Sequence, residues 1–479
     1  MSADGPDDQP RDAASELAAR DARIAELEAT VATLKALVEE LSEKLRRNSS
    51  NSHMPPSSDG PGAAGRGQRP RGKLPSGRKR GGQGGHRGSH RVLLPIESVD
   101  AFIELYPAAC EGCGALLPET PDVDAKRYQL LDLLGYKPHV TEFRRHEVAC
   151  RCGHRTCAAY DATRIPSSPF GARLVAVVAL LTGVYHLSRR ATQRLLHELF
   201  GIEISLGALS RIEARASAAL KDAAGEAQRE VEAADVKHTD ATSWLRAGIV
   251  MSLWTIASAM ATVYRIIENG RRDTVRKLYG VLRGILVSDR ATVFDFWEMA
   301  FRQVCWAHLV RKFVSFSERD GPARAFGREL LECTALVFEY WHGFKDGQLT
   351  RDELATWMRP LQRRLELVLE RAVAADISRL SGSCADILAH RDALWTFVTC
   401  DGVEPTNNHA ERELRAFVLW RRRSFGSQSE RGERFAERVM TVAHTARKQG
   451  KNVLDFIVAC CSASMHGTTP PMLTGSAAN

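Results

Sequence analysis

Three carboxylates in this sequence stand where acids can hold metal ions: Asp240 in VKHTDATSWL, Asp289 in GILVSDRATVFD and Glu411 in TNNHAERELR. The first two sit at or just beyond apolar, β-branched runs, and the third opens a run with helical spacing, so an α/β fold can bring their side chains together. Cleavage of a phosphate diester asks for such a group. Two Mg²⁺ ions, or Mn²⁺ in their place, held about 3.5–4 Å apart activate the attacking oxygen and stabilise the leaving one, and hard cations take hard oxygen ligands. Three acids supply the charge and leave coordination positions for water and phosphate. Any single Asp after a strand reads first as a turn or cap residue; the set of three carries the chemistry. Glu404 and Glu413 compete for the third role, although Glu413 falls on a different helix face from Glu411.

The elements that must position these acids are legible as periodicities. Val236 to Leu245 reads as extended, and Met251 to Ser258 and Ala261 to Ile267 are runs rich in Trp, Ile, Val and Tyr with a turn near Ala259. Arg271 to Tyr279 has helical spacing, and Gly284 to Ser288 is a short buried strand that ends on Asp289. The order is β-β-β-α-β. With acids on adjacent strand ends, a ribonuclease-H-like domain begins this way. The uncharged stretch Ala247 to Tyr264 is long enough to ask about a membrane span, but its Ser and Thr content favours a buried hairpin.

At these residues the sequence resembles the DDE transposases of the insertion-sequence-66 type. The resemblance is carried by TDATSWL, LVSDRATVFD, CWAHLVRKF (Cys305 to Phe313) and the long block EPTNNHAERELRAFVLWRRRSFGSQSERGERFAERVMTVAHTARKQG. Members usually carry Asp-Glu-Thr at the first acid, where this chain has Asp240-Ala241-Thr242. The resemblance implies Mg²⁺-dependent hydrolysis at the ends of a mobile element and attack of the freed 3′-hydroxyl on target DNA, with Asp240, Asp289 and Glu411 as metal ligands. It also implies double-stranded DNA as partner, with helper proteins of the same element conceivable.

Charge placement agrees with a polyanionic partner. The 479-residue chain carries a formal net charge of +8, and the segment Gly60 to Ile96 holds nine Lys or Arg and no acid. Arg78, Lys79 and Arg80 are its densest cluster. Pro, Gly and Ser keep this segment from packing, so it reads as a basic linker that either touches the DNA backbone or only solubilises the chain. Before it, Leu17, Ile24, Val31, Val38 and Leu45 recur every seventh residue with Leu27, Leu34 and Leu41 between them. That heptad favours a parallel two-stranded coiled coil, and so a homodimer or larger assembly, over one amphipathic helix packed on its own chain. The acidic start MSADGPDDQP carries no signal peptide, and the expected location is cytoplasmic, at the nucleoid.

Five of the eleven cysteines fall between Cys110 and Cys157. Cys110-x₂-Cys113 and Cys150-x-Cys152, joined by strand-like sequence at Lys126 to Leu134 and His139 to Val148, read as a zinc ribbon with a structural Zn²⁺. The second pair is tight, and His154 or Cys157 could replace one member. The other six cysteines read as packing residues. Beyond Pro166 come an apolar helix, an amphipathic helix from Ser188 to Phe200 and a Ser205-capped helix with Arg211 and Arg215 outward, either a helix-turn-helix or a plain bundle.

CWAHLVRKF places His308, Arg311 and Lys312 together, and Ala323 to Ala393 reads as an all-helical insertion. After Glu411, Arg412, Arg415, Arg421, Arg422 and Arg423 alternate with aromatics, a pattern for gripping phosphates and stacking bases; the tail from Thr468 reads as disordered.

The expected architecture is therefore multidomain α+β: acidic start and coiled coil (1–47), basic linker (48–95), zinc ribbon (96–165), helical domain (166–232), an α/β ribonuclease-H-like catalytic domain (233–450) interrupted by the helical insertion (323–393), and a C-terminal helix and tail (451–479). The alternatives are a DNA-binding regulator or inactive copy, and a metal-dependent ribonuclease or resolvase.

Overall fold

The computed structural model of the chain describes residues 20, 22–35, 38, 93–122, 125–131, 137–159 and 168–475. The basic linker with Arg78, Lys79 and Arg80, and heptad positions 17, 41 and 45, lie outside them. Among the described residues, those of Gln68–Val140 with Glu198–Gly201 form one compact unit and the rest another. The architecture is mixed α+β.

Five strands form one mixed sheet in the order β5-β4-β3-β6-β7. The β-branched and aromatic runs produce β3 (Val236–Arg246), β4 (Ile249–Ala257) and β5 (Thr262–Ile267), an antiparallel meander. The stretch weighed as a membrane span is the turn after β3, all of β4 and the first half of β5, and no helix among the described residues is long and apolar enough to cross a membrane. Helix α6 (Arg272–Tyr279) then crosses over to β6 (Ile285–Ser288), which pairs parallel to β3. A further strand, β7 (Arg302–Val304), pairs parallel to β6; three residues of sequence RQV gave no strand period to read.

Both edges of this sheet are closed by side chains. Along β5, the backbone N–H groups of Thr262, Tyr264 and Ile266 donate to Thr445 Oγ1 (3.1 Å), Thr441 Oγ1 (3.2 Å) and Glu437 Oε1 (2.6 Å) of helix α13 (Glu430–Lys448). The fit is geometric: four helical residues advance about 6 Å and two strand residues about 6.6 Å, so every fourth residue of the helix meets every second of the strand. At the other edge Thr396 Oγ1 donates to Arg302 O of β7, and the Gln303 side chain donates to Val304 O (2.7 Å) and to Leu394 O (3.1 Å).

Helix α7 (Trp306–Ser317) follows β7, and the chain then runs through the helices α8 (Pro322–Lys345), α9 (Arg351–Ala374) and α10 (Ser381–Ala389). Trp306, Phe313, Leu330, Leu365 and Phe397 share a core with Val287 of β6 and Val304 of β7. Against β5, α13 joins a bundle with α2 (Ala172–Ala179), α4 (Leu206–Ala219), α5 (Lys221–Ala233) and α14 (Val453–His466). Ser205 caps α4 by accepting from Ala208 N (3.1 Å). This helix, weighed as a groove reader, buries Ala208, Leu209, Ile212 and Ala216 in the bundle and leaves Arg211 exposed.

Two expectations need correction. The tail beyond Thr468 folds back as far as Gly475, because Leu473 finds an apolar site where it is fully buried and Lys451 Nζ donates to its carbonyl (2.9 Å). The strand expected at Lys126 to Leu134 is absent from its described part, residues 126–131; side chains of Gln129 and Arg127 reach Leu94 instead, so its backbone is paired without a ladder. Near the second cysteine pair the strands are local, β1 (Glu147–Ala149) against β2 (Arg155–Cys157).

Helix α12 (Asn408–Ser424) lies along β3 and is tied down at its far end. Phe425 ends it in the left-handed region, Gly426 takes φ +94°, and Ser427 then pairs with the end of β3 through Ala247 N to Ser427 O and Ser427 N to Leu245 O, both 2.8 Å. A Cβ on Gly426 would fall on the Leu245 carbonyl. Gly426→Ala is therefore expected to lower stability by about 2 kcal/mol or more, read as a fall in the thermal midpoint.

Candidate active site

The register of the sheet sets the first two acids side by side. His238 of β3 pairs with Val287 of β6 as the last step of a parallel ladder, and two residues on stand Asp240, still within β3, and Asp289, just beyond β6. Asp289 Oδ1 accepts from Ala291 N (3.0 Å) and Asp240 Oδ1 from Ala241 N (2.9 Å). Glu411 comes from the first turn of α12. Asn407, the residue before that helix, joins the parts: its amide Nδ2 donates to Thr239 O (2.6 Å), next to Asp240, and its backbone N–H to Cys305 Sγ (3.1 Å). Cys305 N donates to Ser288 O (2.9 Å), next to Asp289, and Trp306 N to Pro405 O (2.9 Å). Residues far apart in the chain thus meet over the carboxyl end of β6 and the middle of β3, because β3 runs on to Arg246 beside β4 and does not end at Asp240 as expected.

The electrostatics show three acids acting on one another. Burial pushes the Asp240 carboxyl up to about 7, the charges of Asp289 and Glu411 add to that, and the Ala241 N–H and Arg311 oppose it. Glu411 is also raised, by burial first, with Asp289 adding and Arg311 opposing. Glu411 Oε1 is buried without a hydrogen-bond partner among the described residues; Arg311 Nη2 stands 3.7 Å away and His308 Nδ1 3.9 Å. Like charges buried together, one oxygen without a donor, and a set of oxygen ligands fit hard divalent cations.

A softer set overlaps this one, since ligand atoms of Cys305, His308 and Glu411 lie within 4.8 Å of one another. Burial pushes the Cys305 thiol up to about 11, and its sulfur is engaged by Asn407 N–H. Cys305 is held as a neutral thiol that joins α7 to α12. The oxygen set is the better fit to a metal.

The rival acids are occupied elsewhere. Glu404 pairs with Lys345 (3.4 Å). Glu413 turns from the site to the other side of α12, where Lys448 Nζ (3.5 Å) and His444 face it and Tyr264 OH donates to its carbonyl (2.8 Å). Burial works to raise the Glu413 carboxyl, but the His444 hydrogen bond and the Lys448 charge hold it down at about 2. Lys448 also donates to His409 Nε2 (2.8 Å), so this network fixes the first turn of α12 on α13.

Of the basic residues on α12, Arg412, Arg415, Arg422 and Arg423 are exposed, whereas Arg421 donates to Thr242 Oγ1 (2.9 Å) and to Ser243 of β3. The aromatics interleaved with them do not form a stacking platform. Phe417 and Trp420 are turned inward and pack edge-on to Trp244, leaving Phe425 exposed, because a helix lying on a sheet buries positions three apart.

The cysteine pairs form tight turns. Cys110 N donates to Ala115 O (2.9 Å), Gly114 turns with φ +75°, and the backbone N–H groups of Gly112 and Cys113 hold the Cys110 thiol below its usual range. In the second pair Cys150 N donates to His154 O (2.8 Å), Gly153 turns with φ +85°, and the backbone and thiol of Cys152 lower the Cys150 thiol. Cys157 closes β2.

Arg311 and Asn407 were not foreseen as site residues. A signal for the first was its place three residues after His308 on one helix face; for the second, a cap asparagine ahead of an acid that opens a helix.

No curated protein matches the chain. Residues 6–92 match a family of unknown function (DUF6444). Residues 167–434, more than half of the chain, match the family described as Transposase IS66 family, and that span includes β3, β6, α7 and the start of α12 with all three acids. On that match the chain belongs to the IS66 transposase family, whose members act on DNA and need a divalent metal.

Proposed function

We propose that the chain cuts the ends of a mobile DNA element and joins them to target DNA at a centre made by Asp240, Asp289 and Glu411, on a ribonuclease-H-like sheet. The observation that carries this reading is the convergence of the three acids, two on neighbouring parallel strands and one on the helix laid across them. The strand order, with a three-stranded meander followed by two parallel strands, is also that of such a sheet.

In this reading the three carboxylates hold two Mg²⁺ ions. When bound, the ions activate the attacking oxygen and carry charge off the leaving one. Asp240 is held within β3 by its pairing to β4, and Asp289 follows directly on the last residue of β6, one step beyond the ladder between β3 and β6. Glu411 is set by the bond from the Asn407 amide to Thr239 O of β3 and by the Glu413, His444 and Lys448 network behind it. Water first breaks a phosphodiester at the element end and leaves a 3′-hydroxyl; that hydroxyl then attacks a target phosphodiester, forming one P–O bond as another breaks.

Arg412, Arg415, Arg422 and Arg423 lie downstream of Glu411 on the same helix and would neutralise backbone phosphates, with Arg421 bracing the helix on β3. The basic segment with Arg78, Lys79 and Arg80 adds contacts that carry no sequence information. Cys110, Cys113, Cys150 and Cys152 are read as ligands of a structural Zn²⁺, supported by the turn each pair makes. Among the described residues of the N-terminal helix, α1 (residues 22–35), Ile24, Leu27, Val31 and Leu34 expose an apolar stripe that supports pairing with a second copy. The domain plan from the sequence follows these assignments, and the chain would work in the cytoplasm at the nucleoid.

On duplex carrying the element end, with Mg²⁺ and target DNA, the full chain should cleave and join strands. Asp240→Asn, Asp289→Asn and Glu411→Gln should each lose on the order of 10³-fold or more in rate while binding the same DNA within a few-fold; retained joining in any of the three would sink the assignment. Separately, Asp240→Asn should raise the thermal midpoint in chelator by about 2–4 °C, because one buried charge is gone, and should abolish the stabilisation that Mg²⁺ gives the parent chain. A third measurement concerns zinc: metal analysis should find zinc in the purified chain, and Cys110→Ser with Cys113→Ser should remove it.

A further inference from the structure

Arg311 stands three residues after His308 on α7, a spacing that turns both side chains to one face, and that face looks onto Glu411. A guanidinium offers five donors in a fixed plane. Two of its nitrogens here, Nε and Nη2, are buried and meet no hydrogen-bond acceptor among the described residues. Nη2 lies 3.7 Å from Glu411 Oε1, near enough for attraction and too far for a hydrogen bond.

An arginine present only to neutralise Glu411 would close on it as a paired fork at about 2.7–2.9 Å. Instead donor and acceptor face each other across a gap, both without hydrogen bonds, although buried polar atoms are nearly always satisfied. The Nε and Nη2 edge of a guanidinium is also the edge that grips two oxygens of one phosphate. Once divalent cations occupy the acids, the Glu411 charge is shared with them, and an arginine beside cations needs an anion between. A phosphodiester carries that charge and has two non-bridging oxygens.

We propose that Arg311 is a catalytic residue that donates from Nε and Nη2 to the non-bridging oxygens of the phosphate being cut. The inference rests on the function proposed above. In the hydrolytic step the water oxygen forms a bond to phosphorus and gives its proton to solvent. The P–O3′ bond breaks, its electron pair stays on the 3′ oxygen, and that oxygen takes up a proton. Arg311 keeps its protons throughout, and its hydrogen bonds strengthen as charge gathers on the non-bridging oxygens, so it contributes more to rate than to affinity.

The test uses the full chain and duplex carrying the element end, with either the natural phosphate or a neutral methylphosphonate at the cleavage position. Under single turnover Arg311→Ala should cut about 10²-fold more slowly or worse. Arg311→Lys keeps the positive charge beside the acids, so it preserves folding, yet should recover only about a tenth of the parent rate because it lacks the planar fork.

Binding is measured in chelator in a Glu411→Gln background, which cannot cut. There the methylphosphonate should weaken affinity about tenfold with Arg311 present and by less than about threefold once Arg311→Ala is added. A parent chain that cuts, with Arg311→Ala cutting within threefold of it or an equal methylphosphonate penalty in both backgrounds, overturns this inference and leaves the proposed function standing. A parent chain that never cuts overturns both.

Discussion

The constraint on which this molecule depends is the burial of three like charges at one place. Burial raises the carboxyls of Asp240, in the middle of β3, and of Glu411, on α12, and the charge of Asp289 just beyond β6 raises both further. Such a cluster costs the folded state on the order of a few kcal/mol. The surrounding protein offsets that cost with backbone donors at Ala241 and Ala291, one arginine that approaches without closing, and a rigid frame. A fold seeking stability alone would not keep this arrangement. A fold that must seize cations and a phosphate would.

The frame is built so that the acids cannot drift apart. Asp240 and Asp289 stand two residues beyond the last hydrogen-bonded pair of the β3 and β6 ladder, and Asp289 is tied further by the bond of Cys305 N to Ser288 O. Glu411 has no such ladder, and two devices replace it. One is Asn407, whose amide reaches the strand of the first acid while its N–H reaches the residue that follows the strand beside the second. The other is the Glu413, His444, Lys448 and His409 network, which clamps the opposite face of the same helical turn to α13. Positions two apart on α12 thus do opposite work: Glu411 is left short of partners and Glu413 is surrounded by them.

Much of this was legible in the sequence, for physical reasons that can be named. β-Branched and aromatic runs marked β3, β4, β5 and β6 nearly to the residue, because a buried strand leaves its composition in the chain. Helices α8, α9 and α10 showed themselves as sustained helical period. What escaped was information that lives only in three dimensions. β7 is too short and polar to have a period. Phe417 and Trp420 alternate with arginines in a way that suggests stacking on bases, yet the same spacing places them on the face that packs against Trp244. Leu473 reads as part of a polar tail because the pocket that takes it is assembled from elsewhere. The approach of Arg311 to Glu411 joins residues about a hundred positions apart and leaves no local mark.

The closed edges of the sheet bear on how several copies can gather at one DNA end. An open edge strand invites a neighbouring strand to add to it, and molecules crowded on a shared polymer would be prone to fuse that way. Here the amides of β5 are already taken by a row of threonine and glutamate side chains, and the carbonyls of Arg302 and Val304 in β7 by the side chains of Thr396 and Gln303. Neighbours that meet on the same duplex must therefore recognise one another through side-chain surfaces, which can part again after the work is done, instead of through backbone pairing, which grows into aggregates.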